Sequence, residues 1–152
     1  MESPNILTQD KKYEGFTLIE ILIAVGILAI ILSFGLILSM DFYKTYAFNY
    51  EKDLIVGLLQ KARSQSMANI YESNYGITFN SIDHQYILIK GLSVDQVFEA
   101  NKSIDITWPE DVVFNQLEGK CQTCDSSDIE IILSGLGKTG TITINNEGRI
   151  NY

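Results

Sequence analysis

Between Ile21 and Met40 the chain runs for 20 residues without a single charged side chain. No other feature restricts the folding options so strongly. As a helix rising about 1.5 Å per residue, the run extends roughly 30 Å, the thickness of a bilayer's hydrocarbon core. A carboxylate, Glu20, stands at its mouth. Near a bilayer centre such a group costs on the order of 2–3 kcal/mol, and ionisable residues in that setting mark a function by default. Glu20 therefore needs a cationic partner, and the chain supplies one only if it is cut.

An ordinary secretory signal fits poorly. Its apolar core spans roughly 7–15 residues and precedes a small-x-small cleavage site. Here the core is longer, and Leu36-Ile37-Leu38-Ser39-Met40 offers no Ala-x-Ala. A plain anchor would span equally well but would have no use for Glu20. Lys11 and Lys12 precede the run, and positive flanks stay cytoplasmic, so everything after Met40 is expected outside.

The segment Gly15-Phe16-Thr17-Leu18-Ile19-Glu20 resembles the processing motif of type IV pilins and type II secretion pseudopilins. The resemblance implies that a prepilin peptidase cleaves after Gly15 and N-methylates the new amino terminus of Phe16. The resulting cation precedes Glu20 by four residues, about 6 Å along a helix axis. In the family, this carboxylate neutralises the amino terminus of a neighbouring subunit during filament assembly. Opposite charges in apolar surroundings attract strongly, and each costs several kcal/mol if left alone. Gly15 suits the cut, because a small residue before the bond leaves room for a protease cleft. The implied partners are the prepilin peptidase, other pilin or pseudopilin subunits, an inner-membrane assembly platform and the lipid bilayer. The implied location is the cytoplasmic membrane, crossed once with the amino terminus inside and the head outside. Incorporation into a periplasmic or extracellular filament follows. No cofactor is implied.

Of the 152 residues, a 15-residue leader and the stem leave about 110 for one soluble domain with a modest core. The net charge is −8. A leader holding Glu2, Asp10 and Glu14 against Lys11 and Lys12 removes one negative charge and leaves −7. This acidic balance lacks the basic patch of a dedicated nucleic-acid binder.

The helix is expected to run from Phe16 to about Asn69. After Met40 an amphipathic stripe of Ile55, Leu58, Leu59, Ala62 and Met67 recurs near every 3.6 residues. Gly57 weakens this helix by up to about 1 kcal/mol relative to Ala and is read as a bend or a close-packing point. Beyond Asn74 the text turns β-branched and aromatic. Strands are expected at Tyr75–Asn80, Gln85–Lys90, Ser103–Trp108, Val112–Asn115, Ile129–Leu133, Thr139–Ile144 and Arg149–Tyr152. Asn145-Asn146-Glu147-Gly148 makes the last two a hairpin. No second long helical period appears, which disfavours parallel βαβ topology. The expected class is α+β: a long N-terminal helix packed against an antiparallel sheet or sandwich head. Its parts are a leader (1–15), a transmembrane or filament-core helix (16–40), an amphipathic continuation (41–70) and a β-rich head (71–152).

Leu59-Gln60-Lys61-Ala62-Arg63-Ser64-Gln65-Ser66-Met67-Ala68, followed by Tyr75-Gly76-Ile77-Thr78-Phe79, resembles GspH/FimT-type minor pseudopilins. So does the closing Ile142-Thr143-Ile144-Asn145-Asn146-Glu147-Gly148-Arg149-Ile150. Many major subunits carry a proline where this chain has Ile37, which leans the resemblance toward a minor subunit. The presence of Glu20 argues against the tip subunit, which in the family typically lacks that carboxylate.

Few other residues suggest chemistry, and no catalytic residue is assigned. Cys121-Gln-Thr-Cys124 has the spacing of a redox dithiol, half a zinc site or a local disulfide. A zinc site needs four ligands and the chain holds one His and two Cys, so no metal site is assigned. A loop-stapling disulfide in an oxidising compartment is favoured over idle thiols. His84 reads as a solvated turn residue, and Asp125 with Asp128 as a solvated acidic loop rather than a calcium site. Arg63 and Ser64 read as the polar side of the helix, and Phe98, Trp108 and Phe114 as core. The leading expectation is a minor pseudopilin or minor pilin that enters a filament through its N-terminal helix. The alternatives are a membrane-anchored binding protein or adhesin that never polymerises, and an anchored thiol oxidoreductase using Cys121 and Cys124.

Overall fold

A computed structural model describes residues 15–124 and 127–152, apart from the side chains of 34–39. The expected leader therefore lies outside the described residues except for Gly15, and Lys11 and Lys12 lie outside with it. Helix α1 spans Leu18–Met67, and a single 3₁₀ turn, Ile70–Glu72, follows it. Among the described residues eight strands follow: β1 (Tyr75–Asn80), β2 (Gln85–Lys90), β3 (Ser93–Glu99), β4 (Ile104–Thr107), β5 (Val112–Phe114), β6 (Ile129–Gly135), β7 (Lys138–Ile144) and β8 (Ile150–Asn151). They form two four-stranded sheets, ordered β3-β2-β1-β5 and β4-β6-β7-β8, and every pairing is antiparallel. The class is α+β, a helix followed by antiparallel sheets.

Internal contacts divide the chain between Asp41 and Phe42 into two units. In the first, each described side chain of α1 up to Ser33 is exposed, among them Leu22, Val25 and Leu28. A helix apolar all round has no face that prefers water, and such helices occur in cores or in membranes.

The second unit, Phe42–Tyr152, holds one hydrophobic core fed by three sources. Helix α1 contributes Phe48, Ile55, Val56, Leu58, Leu59 and Ala62. The first sheet adds Tyr75, Ile77, Tyr86, Leu88, Val112 and Phe114, and the second adds Ile104, Ile129, Ile131, Leu133, Ile142 and Ile144. The period-2 alternation of β6 shows how: Ile129, Ile131 and Leu133 are buried, while Glu130 and Ile132 between them are exposed. Burying each such side chain contributes about 1.5–3 kcal/mol, which is what holds the helix to the sheets.

Three expectations change here. Strand β3 was not expected, because Ser93-Val-Asp-Gln-Val-Phe-Glu99 mixes polar and apolar residues without a clear alternation. It is an edge strand, exposed along nearly its whole length, so no buried face imposes a pattern on it. Its pairing with β2 shifts register between Leu88 and Ile89, a bulge of the kind that protects a sheet edge. Gly57 is neither a bend nor a packing point: α1 continues through it, and a Cβ there would meet nothing within 4 Å. Met67 leaves the buried stripe, being 48% exposed, and Ser66 takes the inward place.

Candidate assembly motif and helix–head joint

At the amino-terminal end, Thr17 caps the helix. Its Oγ1 accepts a hydrogen bond from the backbone N–H of Glu20 at 3.3 Å, the half of a Thr-x-x-Glu capping box that satisfies an otherwise orphaned donor. Glu20 occupies the first turn, where a negative charge complements the helix dipole. Thr17 thus supplies the cap, and the Glu20 side chain suits the first turn. Capping does not account for its neighbours, however. Phe16, Leu18 and Ile19 are 80%, 81% and 63% exposed, and no cation pairs with Glu20 among the described residues. Gly15 has open space where a Cβ would stand, so its own fold does not demand glycine. Packing among the described residues does not call for these residue types.

Residues 10–36 match the family model of the prokaryotic N-terminal methylation motif. The match spans Gly15, Phe16 and Glu20 and supports the resemblance to type IV pilin-like chains. The methylation motif implies processing by a prepilin peptidase and assembly among pilin-type subunits in general terms. It ends before the head and does not reach the segments that resemble GspH/FimT-type subunits. No curated protein and no solved structure matches the chain. Among the described residues no helix is long and apolar enough to cross a membrane. The expected span, 16–40, includes residues 34–39, whose side chains lie outside those described; Gly35 and Ile37 are among them.

In the head, the buried polar residues Glu51 and Ser66 tie α1 to the sheets, and neither is among the sites expected above. Glu51 Oε1 accepts hydrogen bonds from Tyr86 Oη at 2.6 Å and from the Asn101 backbone N–H at 3.2 Å. Glu51 and Tyr86 are 1% and 0% exposed. Burial, reinforced by the bond to Glu51, raises the Tyr86 phenol well above its ordinary 10.0. Ser66 Oγ accepts the Tyr75 backbone N–H at 2.7 Å and donates to the Phe114 carbonyl at 3.1 Å, stitching α1 to both β1 and β5. A signal for both was present: 48, 51, 55, 59, 62 and 66 share one helical face, and Glu51 and Ser66 are its polar members.

Arg63 does more than line a polar face. Its Nε donates to the Gly119 carbonyl at 3.0 Å and its Nη2 to the Glu147 carbonyl at 3.2 Å. It thereby clamps the 115–121 loop and the β7–β8 turn to the end of α1. Gly119 and Gly148 let the three segments meet. Both have positive φ, and a Cβ would stand 2.4 Å from Met67 Cγ at the first and 2.1 Å from the Gly119 carbonyl at the second.

Cys121 and Cys124 form a disulfide with Cα atoms 5.3 Å apart, and both are buried. The Cys121 N–H donates to the Asn146 carbonyl at 2.9 Å, so the bridge sits in the same joint. His84 differs from expectation: it lies in the β1–β2 turn, yet its ring is half-buried 5.6 Å from that of Phe79. Phe114 is core, whereas Phe98 and Trp108 are only partly buried against it. Asp125 lies outside the described residues, and Asp128 is exposed. Ser64 is exposed on the polar side of α1.

Proposed function

We propose that this chain is a structural subunit of a type IV pilus-like filament or type II secretion pseudopilus, cut after Gly15 and assembled through its N-terminal helix. The observation that carries the reading is the methylation-motif match over residues 10–36, coupled to a helix start whose apolar side chains stay exposed among the described residues. In this reading the run Ile21–Met40 crosses the cytoplasmic membrane before assembly and lies in the filament core afterwards. The methylated amino terminus of Phe16 pairs with Glu20 of a neighbouring subunit. The pair forms where water is scarce, so a misplaced subunit leaves a bare charge in apolar surroundings, and that penalty sets the register. The head stays outside, and the Glu51, Ser66 and Arg63 anchors tie its sheets and loops to the part of α1 that belongs to it. The disulfide between Cys121 and Cys124 serves this joint. The missing proline at Ile37 and the GspH/FimT-like ends support a minor rather than a major subunit.

Replacing Glu20 by Ala or Val tests the reading. Membrane insertion persists and the fraction recovered in filaments falls; undiminished assembly of the variant contradicts the role. Replacing Gly15 by a bulky residue leaves an uncut precursor that migrates more slowly on a gel. An anchored adhesin that does not polymerise would tolerate both changes.

A further inference from the structure

The chain contains two arginines, Arg63 and Arg149, and both border one groove. The groove has a volume of about 630 Å³ and lies between the last turns of α1 and the start of β8. Gln60 and Ser64 give it further polar edges, Met67 and Ile150 give it an apolar lining, and among the described residues no acidic one borders it. Two carbonyls hold the Arg63 guanidinium in place without neutralising it. Arg149 is exposed, with its backbone N–H fixed by Asn145 Oδ1 at 2.8 Å. Neither arginine has an ion-pair partner among the described residues. Guanidinium is the side chain whose planar fork fits a carboxylate with two parallel hydrogen bonds. In a chain of net charge −8, a groove with both arginines and no acid is complementary to an acidic segment.

The chain carries one pair of adjacent acidic residues, Glu110-Asp111, behind Pro109 on the connection from β4 to β5. All three residues are exposed, and neither carboxylate is ion-paired among the described residues. We propose that the Arg63–Arg149 groove receives the Glu110–Asp111 loop of a second copy of this chain. Groove and loop are different patches of one surface, so the contact is head-to-tail. Each copy keeps a free groove or a free loop, and a contact of that kind can propagate rather than close on itself. The inference rests on the filament reading for its repetition along an assembly, and on the head alone for its chemistry.

The test uses the full-length chain in detergent and sedimentation velocity at about 0.01 M and about 1 M ionic strength, where the Debye length falls from roughly 30 to 3 Å. Wild type associates at low salt and dissociates at high salt. Arg149→Glu, and the double change Glu110→Arg with Asp111→Arg, each weaken association by about tenfold or more. Mixing these two variants restores it, because the intact groove of one meets the intact loop of the other. That rescue also excludes misfolding as the cause of the loss. Wild-type association by either variant, a mixture no stronger than its parts, or a wild type insensitive to salt overturns the proposal. Glu20→Ala separates the two readings. It leaves the salt-dependent contact and the mixing rescue unchanged, even though it disturbs assembly through the stem.

Discussion

The Glu51 carboxylate on α1 and the Tyr86 hydroxyl on β2 meet at 2.6 Å inside the head, both nearly free of solvent. This bond fixes the rotation of the helix against the first sheet, because a carboxylate turned toward any other part of the core would be buried unpaired. Glu51→Ala leaves the Tyr86 hydroxyl and the Asn101 N–H without an acceptor and costs about 3 kcal/mol or more. Glu51→Gln keeps an acceptor oxygen and costs about 1–2 kcal/mol. Urea unfolding followed by the fluorescence of Trp108, the single tryptophan, checks the order. Equal losses for the two variants would show that the hydrogen bonds contribute little.

The same pair sets an alkaline limit. The Tyr86 phenol is held above its ordinary 10.0 in the folded chain. A group raised on folding stabilises fully below its unfolded value and loses that contribution as pH climbs from there toward the folded value. Stability should therefore hold steady near neutral pH and fall as pH rises past about 10. In Tyr86→Phe the neutral-pH stability is lower, and this residue's part of the alkaline decline is gone. Thermal unfolding across that pH range provides the readout.

Gly57 is exposed within α1, and open space stands where a Cβ would go. Gly57→Ala should stabilise the head by up to about 1 kcal/mol, by restricting the unfolded chain and favouring helix. An unchanged or lower midpoint in urea would mean that this position makes a contact absent from the folded head.

Gly148 presents the opposite case. It combines a positive φ with a close approach to the Gly119 carbonyl and to Arg63 Nε. Gly148→Ala forces the β7–β8 turn away from α1 and should destabilise by about 1–3 kcal/mol. The loss should largely overlap with that of Arg63→Met, since both act through one joint, and the double variant should cost clearly less than the sum. Additive losses would mean that the two residues act separately.

Much of this architecture was readable in the residues. Strands β1 and β2 were expected with the same ends that they have, since turn residues bound both sides of Tyr75–Asn80 and Gln85–Lys90. The closing hairpin was marked by Asn145–Gly148 in the same way. What stayed hidden depended on tertiary context. Strand β3 lies at an edge, where the neighbouring strand supplies hydrogen bonds but no core demands a pattern. The polar side chains of Glu51 and Ser66 conceal their burial, although their phase places them with Phe48 and Ile55. Their partners, Tyr86 and Tyr75, come 35 and 9 residues later. Arg63 reads as the polar side of the helix because the carbonyls it holds belong to loops 56 and 84 residues away. At the amino terminus the logic reverses. Gly15, Phe16 and Glu20 stand out through the resemblance to the pilin processing motif, while the described fold gives them little to do beyond starting a helix.

In the proposed function, a new amino terminus at Phe16 provides the charge that Glu20 neutralises. Intact-mass analysis of the protein isolated from its own cells measures this directly. The expected chain begins at Phe16 and is heavier than that sequence by one methyl group, with residues up to Gly15 gone. A mature protein that still carries Gly15 and the residues before it would contradict the account.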